Sequence, residues 1–315
     1  MRLYCSVRTL VNDSYFPLGP KGRRRSIMKS ILVGVDGSIR GEHALAWAAK
    51  CADRENASLT LLAIIEPSIE RQMGLEEKTM TGAANAALIS AEQTVHERYP
   101  HLQIETQVVR GEVVDALIDA AESFDLIVVG SHHGKTIGET IGGAKGLRVS
   151  VSTTTPTVVV PADYDPEYEG NGIMVGVGPD EVSVNAIRFG AEQAFEFDKP
   201  LKLVSAWGLP AFLSRSSEAL GGGLGPVGDR FQRTLDEAVA QLKEMYPDMD
   251  IKGEAIEGSS PTRVLLEECK DCDLLVLGTH SRNALGRALF GSITHSVLLN
   301  LTVPTVIVPT GKKEQ

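Results

Sequence analysis

The chain carries the same succession of landmarks twice, over residues 31–161 and again over residues 173–309. Each copy opens with an apolar segment, ILVGV and then IMVGV, and each closes with PTVVVP or PTVIVP. Between these lie DLIVVGSHH and DLLVLGTHS. A repeat of about 140 residues is long enough to close a hydrophobic core of its own. The duplication therefore predicts two similar domains rather than a solenoid.

Composition agrees with two compact domains and excludes two classes of partner. The 315 residues are 43% hydrophobic and 23% charged, which is ordinary for a globular chain. The apolar runs end early in Gly, Asp or Pro, far short of the roughly 20 residues that cross a bilayer. A formal net charge of -10 argues against a nucleic-acid surface, which needs clustered Lys and Arg. We therefore expect neither a membrane nor a nucleic acid as a partner.

The limits of the two copies divide the chain into five parts. Residues 1–27 are rich in Arg and Lys and are predicted to be a flexible basic extension. The first domain is expected at residues 28–162. The acidic segment at 163–172, rich in Pro and Gly, reads as an exposed linker. A second domain at 173–310 and a short tail at 311–315 complete the chain.

Each copy alternates short strands with segments of helical periodicity. In the first copy the sequence predicts strands at 31–35, 59–65, 105–109, 125–129 and 157–160. In the second copy it predicts helices near 184–197, 231–246, 262–270 and 292–300. Apolar strands joined by helices indicate a parallel sheet covered on both faces. We therefore expect an α/β fold made of two tandem, open, doubly wound parallel-sheet domains.

In each copy one segment after the second strand has the character of a loop. The two segments are residues 67–80 and the glycine-rich GGGLGP at 221–226. Both are interpreted as loops and as candidate lids over a ligand cleft. Trp207, at the end of a strand, is predicted to be a core residue, with a place at the border of an adenine pocket as the alternative.

In a sheet of this kind, ligands bind beyond the carboxyl ends of the strands, where glycine and a helix start can hold a phosphate. In the second copy, Gly278 ends a strand, and Gly291 with Ser292 begins a helix. The amides of Gly291, Ser292 and Ile293 are candidate donors to phosphate oxygens, together with the Ser292 hydroxyl. The alternative is that Ser292 only caps its helix.

These motifs together resemble a tandem universal stress protein over residues 29–310. The resemblance implies five parallel strands per domain, in an arrangement like that of the adenine-nucleotide alpha hydrolases, with the domains related by a pseudo-twofold. It also implies a cytoplasmic protein that binds nucleotide without a defined catalytic reaction. ATP-binding members of the family carry G-x2-G-x9-G-[ST] after the fourth strand and an Asp near the adenine after the first strand.

The carry-over of that motif differs between the copies. The first copy has Asp36 but has Ala144 where the terminal hydroxyl belongs and His133 where the second glycine belongs. The second copy keeps the terminal Ser292 but has Ser281 where the second glycine belongs and Gly178 where Asp36 aligns. We favour the second copy, because several donors aimed at a polyanion should outweigh one contact to a neutral base.

The resemblance yields a set of predicted ATP-binding residues in both copies. In the first copy these are Gly34, Asp36, Gly37, Ser38, Ile64, Gly130, Ser131, His132, Lys135 and Gly143. In the second copy they are Gly176, Ala206, Gly278, Thr279, His280, Ser281, Gly291, Ser292 and Ile293.

Three other patterns suggest chemistry that the sequence does not support. GSHHGKT is one residue too short for a P-loop, although Lys135 remains a candidate to neutralise a phosphate. His132 and His133 are adjacent, so on an extended segment they point in opposite directions and do not easily bind one metal. Cys269 and Cys272 have no second CxxC nearby, and we expect them to be reduced, with Cys269 packed on a helix and Cys272 in a turn. We expect no catalytic residues and no metal site.

Three functions remain open. The first, which we favour, is a nucleotide-binding regulatory or stress module that takes ATP, with or without Mg²⁺. The second is a family member that has lost nucleotide binding and acts as a protein-interaction module. The third is an enzyme that at most hydrolyses ATP slowly, since no base, metal cluster or nucleophile is visible. The two domains are expected to pair within the chain. The tandem is then either self-sufficient or associates with a second chain, and the family resemblance favours a homodimer.

Overall fold

The computed structural model describes residues 28–131, 144–178, 182–208, 225–279 and 292–310. These residues form two compact units, one that ends at Tyr168 and one that begins at Glu169. We call them the first repeat and the second repeat. The predicted residues His132, Lys135, Gly143, His280, Ser281 and Gly291 lie outside the described residues.

The described part of the first repeat alternates strands and helices. Its strands are β1 (Ser30–Gly34), β2 (Ser58–Ile65), β3 (Ile104–Arg110), β4 (Leu126–Gly130) and β5 (Thr157–Val160). Its helices are α1 (Ile39–Glu55), α2 (Pro67–Met73), α3 (Glu77–Arg98), α4 (Val113–Ala121) and α5 (Ala144–Ser152).

The described part of the second repeat has the same alternation. Its strands are β6 (Ile173–Gly176), β7 (Leu201–Trp207), β8 (Ile251–Glu257), β9 (Leu274–Thr279) and β10 (Thr305–Pro309). Its helices are α6 (Val182–Glu196), α7 (Gly225–Met245), α8 (Pro261–Glu268) and α9 (Ser292–Leu298).

The strands of each repeat lie parallel in an order that reverses once. In the first repeat the order is β3-β2-β1-β4-β5, and in the second it is β10-β9-β6-β7-β8. The central strands are apolar on both faces, and Ile31, Leu32 and Val33 are fully buried. The predicted α/β fold with parallel sheets is therefore confirmed. The order in which strands are added reverses beside β1 and beside β6, and a crevice lies at the carboxyl ends of the strands there.

The helices bury one face against the sheet, and local residues set where they begin and end. In α3 one apolar stripe is buried, formed by Leu88, Ala91 and Val95 at helical spacing. Helix α1 begins where the Ser38 hydroxyl accepts a hydrogen bond from the Gly41 amide, which is an N-cap. It ends at Asn56, whose left-handed backbone stops the helix.

Two segments interpreted as loops contain helix. Residues 67–80 include α2 and the start of α3, and Gly225 and Pro226 already belong to α7. The loop interpretation of those residues was wrong, because Pro is well tolerated in the first turn of a helix, where its missing N–H has no partner to lose. Helix α2 begins at Pro67 in the same way.

The two cysteines of the CxxC sequence have the places expected from the sequence. Cys269 ends α8, and its thiol lies 3.6 Å from the Leu266 carbonyl oxygen. Cys272 lies in the turn before β9, with its thiol 3.8 Å from the Glu268 carbonyl oxygen. Both side chains are buried, and both cysteines are free thiols.

Candidate functional site

A cavity of about 420 Å³ lies at the carboxyl edge of the first repeat, where the strand order reverses. Residues from β1, β2 and β4 meet there. The predicted residues that line it are Gly34, Asp36, Ile64 and Gly130. Ile69 of α2 and Met80 of α3 also line it, so the segment first interpreted as a lid contributes a helical wall.

The two predicted glycines that line this cavity, Gly34 and Gly130, differ in how much space surrounds them. A Cβ atom at Gly34 would have Leu117 Cδ2 as its nearest neighbour at 3.9 Å, which is an ordinary contact. A Cβ atom at Gly130 would lie 2.8 Å from the carbonyl oxygen of Arg40. Close packing of the backbone therefore requires glycine at 130, whereas at 34 the missing side chain leaves open cavity.

Asp36 builds the turn that enters α1. Its Oδ1 accepts hydrogen bonds from the Ser38 backbone N–H at 2.9 Å and from the Ser38 hydroxyl at 2.6 Å. Gly37 between them has φ +71°, a conformation that favours glycine. Gly37 and Ser38 line a neighbouring cavity of about 680 Å³ between α1 and α3 rather than the one at the strand ends.

Ser131 follows β4 directly. Its side chain is buried, and its backbone N–H donates to the Val160 carbonyl oxygen at 2.8 Å. Ser131 does not line the cavity at the strand ends.

The second repeat has a cavity of about 520 Å³ at the equivalent edge. Its wall combines the ends of β6, β7 and β9 with the start of α9. The predicted residues that line it are Gly176, Ala206, Gly278, Thr279, Ser292 and Ile293. All the predicted second-copy residues that the structure describes therefore meet at one cavity.

A hydroxyl from α6 contacts Gly178, two residues after the end of β6. The Gly178 backbone N–H donates to the Ser183 hydroxyl oxygen at 2.8 Å, and that hydroxyl lies 3.3 Å from the Gly178 carbonyl oxygen. In the alignment of the repeats, Ser183 takes the place of Gly41 and Gly178 takes the place of Asp36. In the second repeat the backbone amide at the position of Asp36 is therefore bonded by a hydroxyl from the helix.

The sequence predicted only part of the second cavity. Trp207 is buried, as predicted for a core residue, and it also lines this cavity. Phe231 of α7 also lines it, and its ring stacks on the indole with centroids 6.0 Å apart and planes inclined by 14°. Phe231 belongs to no sequence motif. Its place at the start of the helix predicted near 231–246 was the one indication of its role.

The two cavities differ in charge. Asp36 and Glu66 line the first-repeat cavity. Among the described residues that line the second-repeat cavity there is no ionisable side chain. Two carboxylates repel a phosphate group, so the described wall of the second cavity is the less repulsive of the two to an anionic ligand.

The described part of the chain holds no group of three or more His, Cys, Asp or Glu side chains that could bind a metal ion. None of its helices combines the length with the apolar character needed to span a bilayer.

Comparison with known proteins identifies the family. The sequence model of the universal stress protein family matches residues 28–161 and residues 171–309. A universal stress protein of Mycolicibacterium smegmatis is 26% identical over 295 residues, and the alignment covers 88% of this chain and 96% of that protein. One from Mycobacterium tuberculosis is 24% identical over 295 residues with the same coverage.

A solved structure agrees on the fold. The crystal structure of a universal stress protein from Archaeoglobus fulgidus matches with a TM-score of 0.65 at 12% identity, and the match covers 90% of this chain and 98% of that one. The resemblance stated from the motifs is therefore confirmed. Because the family model matches both repeats, the chain belongs to the universal stress protein family and carries the family's domain twice.

Proposed function

We propose that this protein is a nucleotide-binding regulatory member of its family, that its ligand is ATP, and that the second repeat is the copy that binds. The observation that carries the proposal is the meeting of Gly176, Gly278 and Ser292, from three separate segments, around one cavity. Its volume of about 520 Å³ lies within the range of small-molecule sites, roughly 300–1,000 Å³. A site at the reversal of strand order is where open parallel sheets bind ligands.

Charge supports the choice of the second repeat. ATP carries several negative charges, and the first cavity would place them near Asp36 and Glu66. The described wall of the second cavity offers hydroxyl groups and backbone amides instead, which favour phosphate oxygens. His280, Ser281 and Gly291 of the second copy, which lie outside the described residues, remain predicted contacts.

The proposed role is regulatory rather than catalytic. Binding of ATP, with or without Mg²⁺, would bias which partner the protein engages, because a ligand shifts a protein toward the state that binds it better. We also propose a cytoplasmic location and a homodimer, both of which rest on the family resemblance. Light scattering coupled to gel filtration checks the homodimer, which a monomer mass would contradict.

Calorimetric titration of the full chain with ATP tests the proposal, once with Mg²⁺ and once with a chelator. The matched variants are Ser292→Ala in the second repeat and Asp36→Ala in the first. We expect Ser292→Ala to weaken ATP binding about three- to tenfold, as the loss of one hydrogen bond predicts. Asp36→Ala should leave the affinity unchanged, because it alters the copy that does not bind.

Each other outcome points to a different function. Loss of binding only in Asp36→Ala would assign the site to the first repeat. No heat of binding from the wild type would contradict nucleotide binding and favour the protein-interaction module. Release of phosphate well above the blank would favour slow ATP hydrolysis.

A further inference from the structure

Two residues that line the second-repeat cavity each carry a buried polar atom with no hydrogen-bond partner within the described ranges. These atoms are the indole Nε1 of Trp207 and the hydroxyl Oγ1 of Thr279. Trp207 is 8% exposed and Thr279 is 4% exposed, and both residues line the second-repeat cavity. Folded proteins rarely leave such groups unpaired, and each unpaired group calls for an explanation.

The residues around Trp207 leave room for its indole ring and stack on it. The ring stacks on Phe231, and a Cβ atom at Gly228 would lie 2.8 Å from Trp207 Cζ2. Glycine in this first part of α7 therefore makes room for the large ring. The equivalent position at the end of β2 in the first repeat holds Ile65, which has no polar atom to offer.

The positions of the two groups suit an elongated ligand. Trp207 ends β7 and Thr279 ends β9, and β6 lies between these strands. Neighbouring strands are about 4.8 Å apart, so the two strand ends are roughly 10 Å apart. Val227 and Phe231 make the Trp207 end of the cavity apolar, whereas Gly278 and Ser292 make the Thr279 end polar.

We propose that Trp207 and Thr279 are direct ligand contacts that set the specificity of the second repeat. The indole N–H donates to an acceptor nitrogen of a flat heteroaromatic ring, as in a purine, because an indole can donate and cannot accept. The Thr279 hydroxyl bonds an oxygen of the sugar or phosphate portion. This inference rests on the proposed function, since it assigns the two ends of the same ligand.

Both atoms are buried, so a ligand reaches them only when the atoms that cover them move. Binding should therefore be accompanied by a local rearrangement around the indole. Because Trp207 and Trp47 are the only tryptophans of the chain, Trp47→Phe leaves Trp207 as the single reporter. The fluorescence of Trp207 in this variant should then change when ATP is added.

The test uses the full chain, with ATP and inorganic triphosphate as probes. We expect Trp207→Phe, which keeps an aromatic ring, to weaken ATP binding about five- to tenfold, as the loss of one hydrogen bond predicts. The same variant should bind triphosphate as the wild type does, because triphosphate has no ring. Trp47→Phe is the matched control on a buried tryptophan of the first repeat and should leave ATP affinity unchanged.

The Thr279 contact is tested by a pair of variants. Thr279→Val removes the hydroxyl at nearly constant shape and should weaken ATP binding about fivefold. Thr279→Ser keeps the hydroxyl and should retain most of the affinity. A loss of equal size in both variants would mean that packing, and not the hydroxyl, is responsible.

The outcomes separate this inference from the proposed function. Equal ATP affinity in wild type, Trp207→Phe and Thr279→Val would overturn the inference and leave nucleotide binding intact. ATP binding with no change in Trp207 fluorescence would also overturn it, and that readout does not depend on how well Trp207→Phe folds. A wild type that does not bind ATP would overturn both proposals.

Discussion

Asp36 and Ser38 are joined by two hydrogen bonds just before α1 begins: one carboxylate oxygen of Asp36 accepts a hydrogen bond from the amide of Ser38 and another from its hydroxyl. The same hydroxyl oxygen accepts from the Gly41 amide at 3.1 Å and so caps the helix. Three hydrogen bonds thus hold the turn, and Ser38 takes part in all of them, twice through its hydroxyl and once through its amide. That arrangement makes Ser38 the residue whose removal should be felt most in this turn.

We expect Ser38→Ala to lower the free energy of unfolding of the first repeat by about 1–2 kcal/mol, as for the loss of an N-cap. Urea unfolding followed by Trp47 fluorescence measures it, because Trp47 lies on α1. Ser260→Ala is the control at another N-cap, where the Arg263 amide lies 3.4 Å from the Ser260 hydroxyl oxygen. This longer bond should contribute less, so equal losses would contradict the expectation.

Two helix glycines should respond to alanine with opposite signs. In α6, a Cβ atom at Gly190 would clash with Val175 Cγ2, on a fully buried strand residue. Gly190→Ala should therefore destabilise the second repeat by about 1–3 kcal/mol, as overpacking does. In α3, a Cβ atom at Gly82 would meet nothing within 4 Å. Gly82→Ala should stabilise the first repeat by about 0.5–1 kcal/mol through helix propensity.

Denaturant unfolding of the two glycine variants measures both effects. The two changes are chemically identical, so they differ only in the space around the new methyl group. Stabilisation by Gly190→Ala would show that β6 and α6 are packed less closely than described.

Stability should fall at alkaline pH because of buried thiols. Burial raises the pKa of the Cys272 thiol from 9.0 to about 12, and burial also raises the pKa of Cys51 and of Cys269. Between pH 9 and 12 the unfolded chain releases a proton that the folded chain keeps, so folding loses stability as the pH rises. Below pH 9 the thiol is protonated in both states and its contribution is constant.

Between pH 8 and pH 10 we expect Cys272 to account for about 1 kcal/mol of lost unfolding free energy, since one pKa unit corresponds to about 1.4 kcal/mol. Comparison of wild type with Cys272→Ala at both pH values isolates this share from other groups that titrate there. An equal loss in the two proteins would show that the thiol is exposed in solution.

The strands of the first repeat could be predicted almost to the residue. Runs of Val, Ile and Leu that end at Gly, Asp or Pro leave little choice of position. The strands predicted at 59–65 and 157–160 match Ser58–Ile65 and Thr157–Val160. By contrast, α7 begins six residues before its predicted start, because an apolar period marks the buried face of a helix and not its first turn.

The cavity walls were harder to predict than the strands. Glycines at strand ends identify the correct edge of the sheet, since that edge follows from strand order alone. The stacking of Phe231 on Trp207, in contrast, depends on how α7 packs over β7. The hydrogen bond between the Gly178 amide and the Ser183 hydroxyl likewise joins two residues that no motif linked. The spacing of residues along the sequence predicts neither the ring stacking nor this hydrogen bond.

Asp273 holds the start of the second repeat in place. Its two carboxylate oxygens accept from the Gly170 and Gly172 amides at 2.9 Å each, and the Lys199 ammonium lies 3.4 Å away. A fragment that began at Ile173 would remove both amide donors and leave the carboxylate with the lysine alone. Anyone who wishes to dissect the two repeats should therefore cut no later than Glu169.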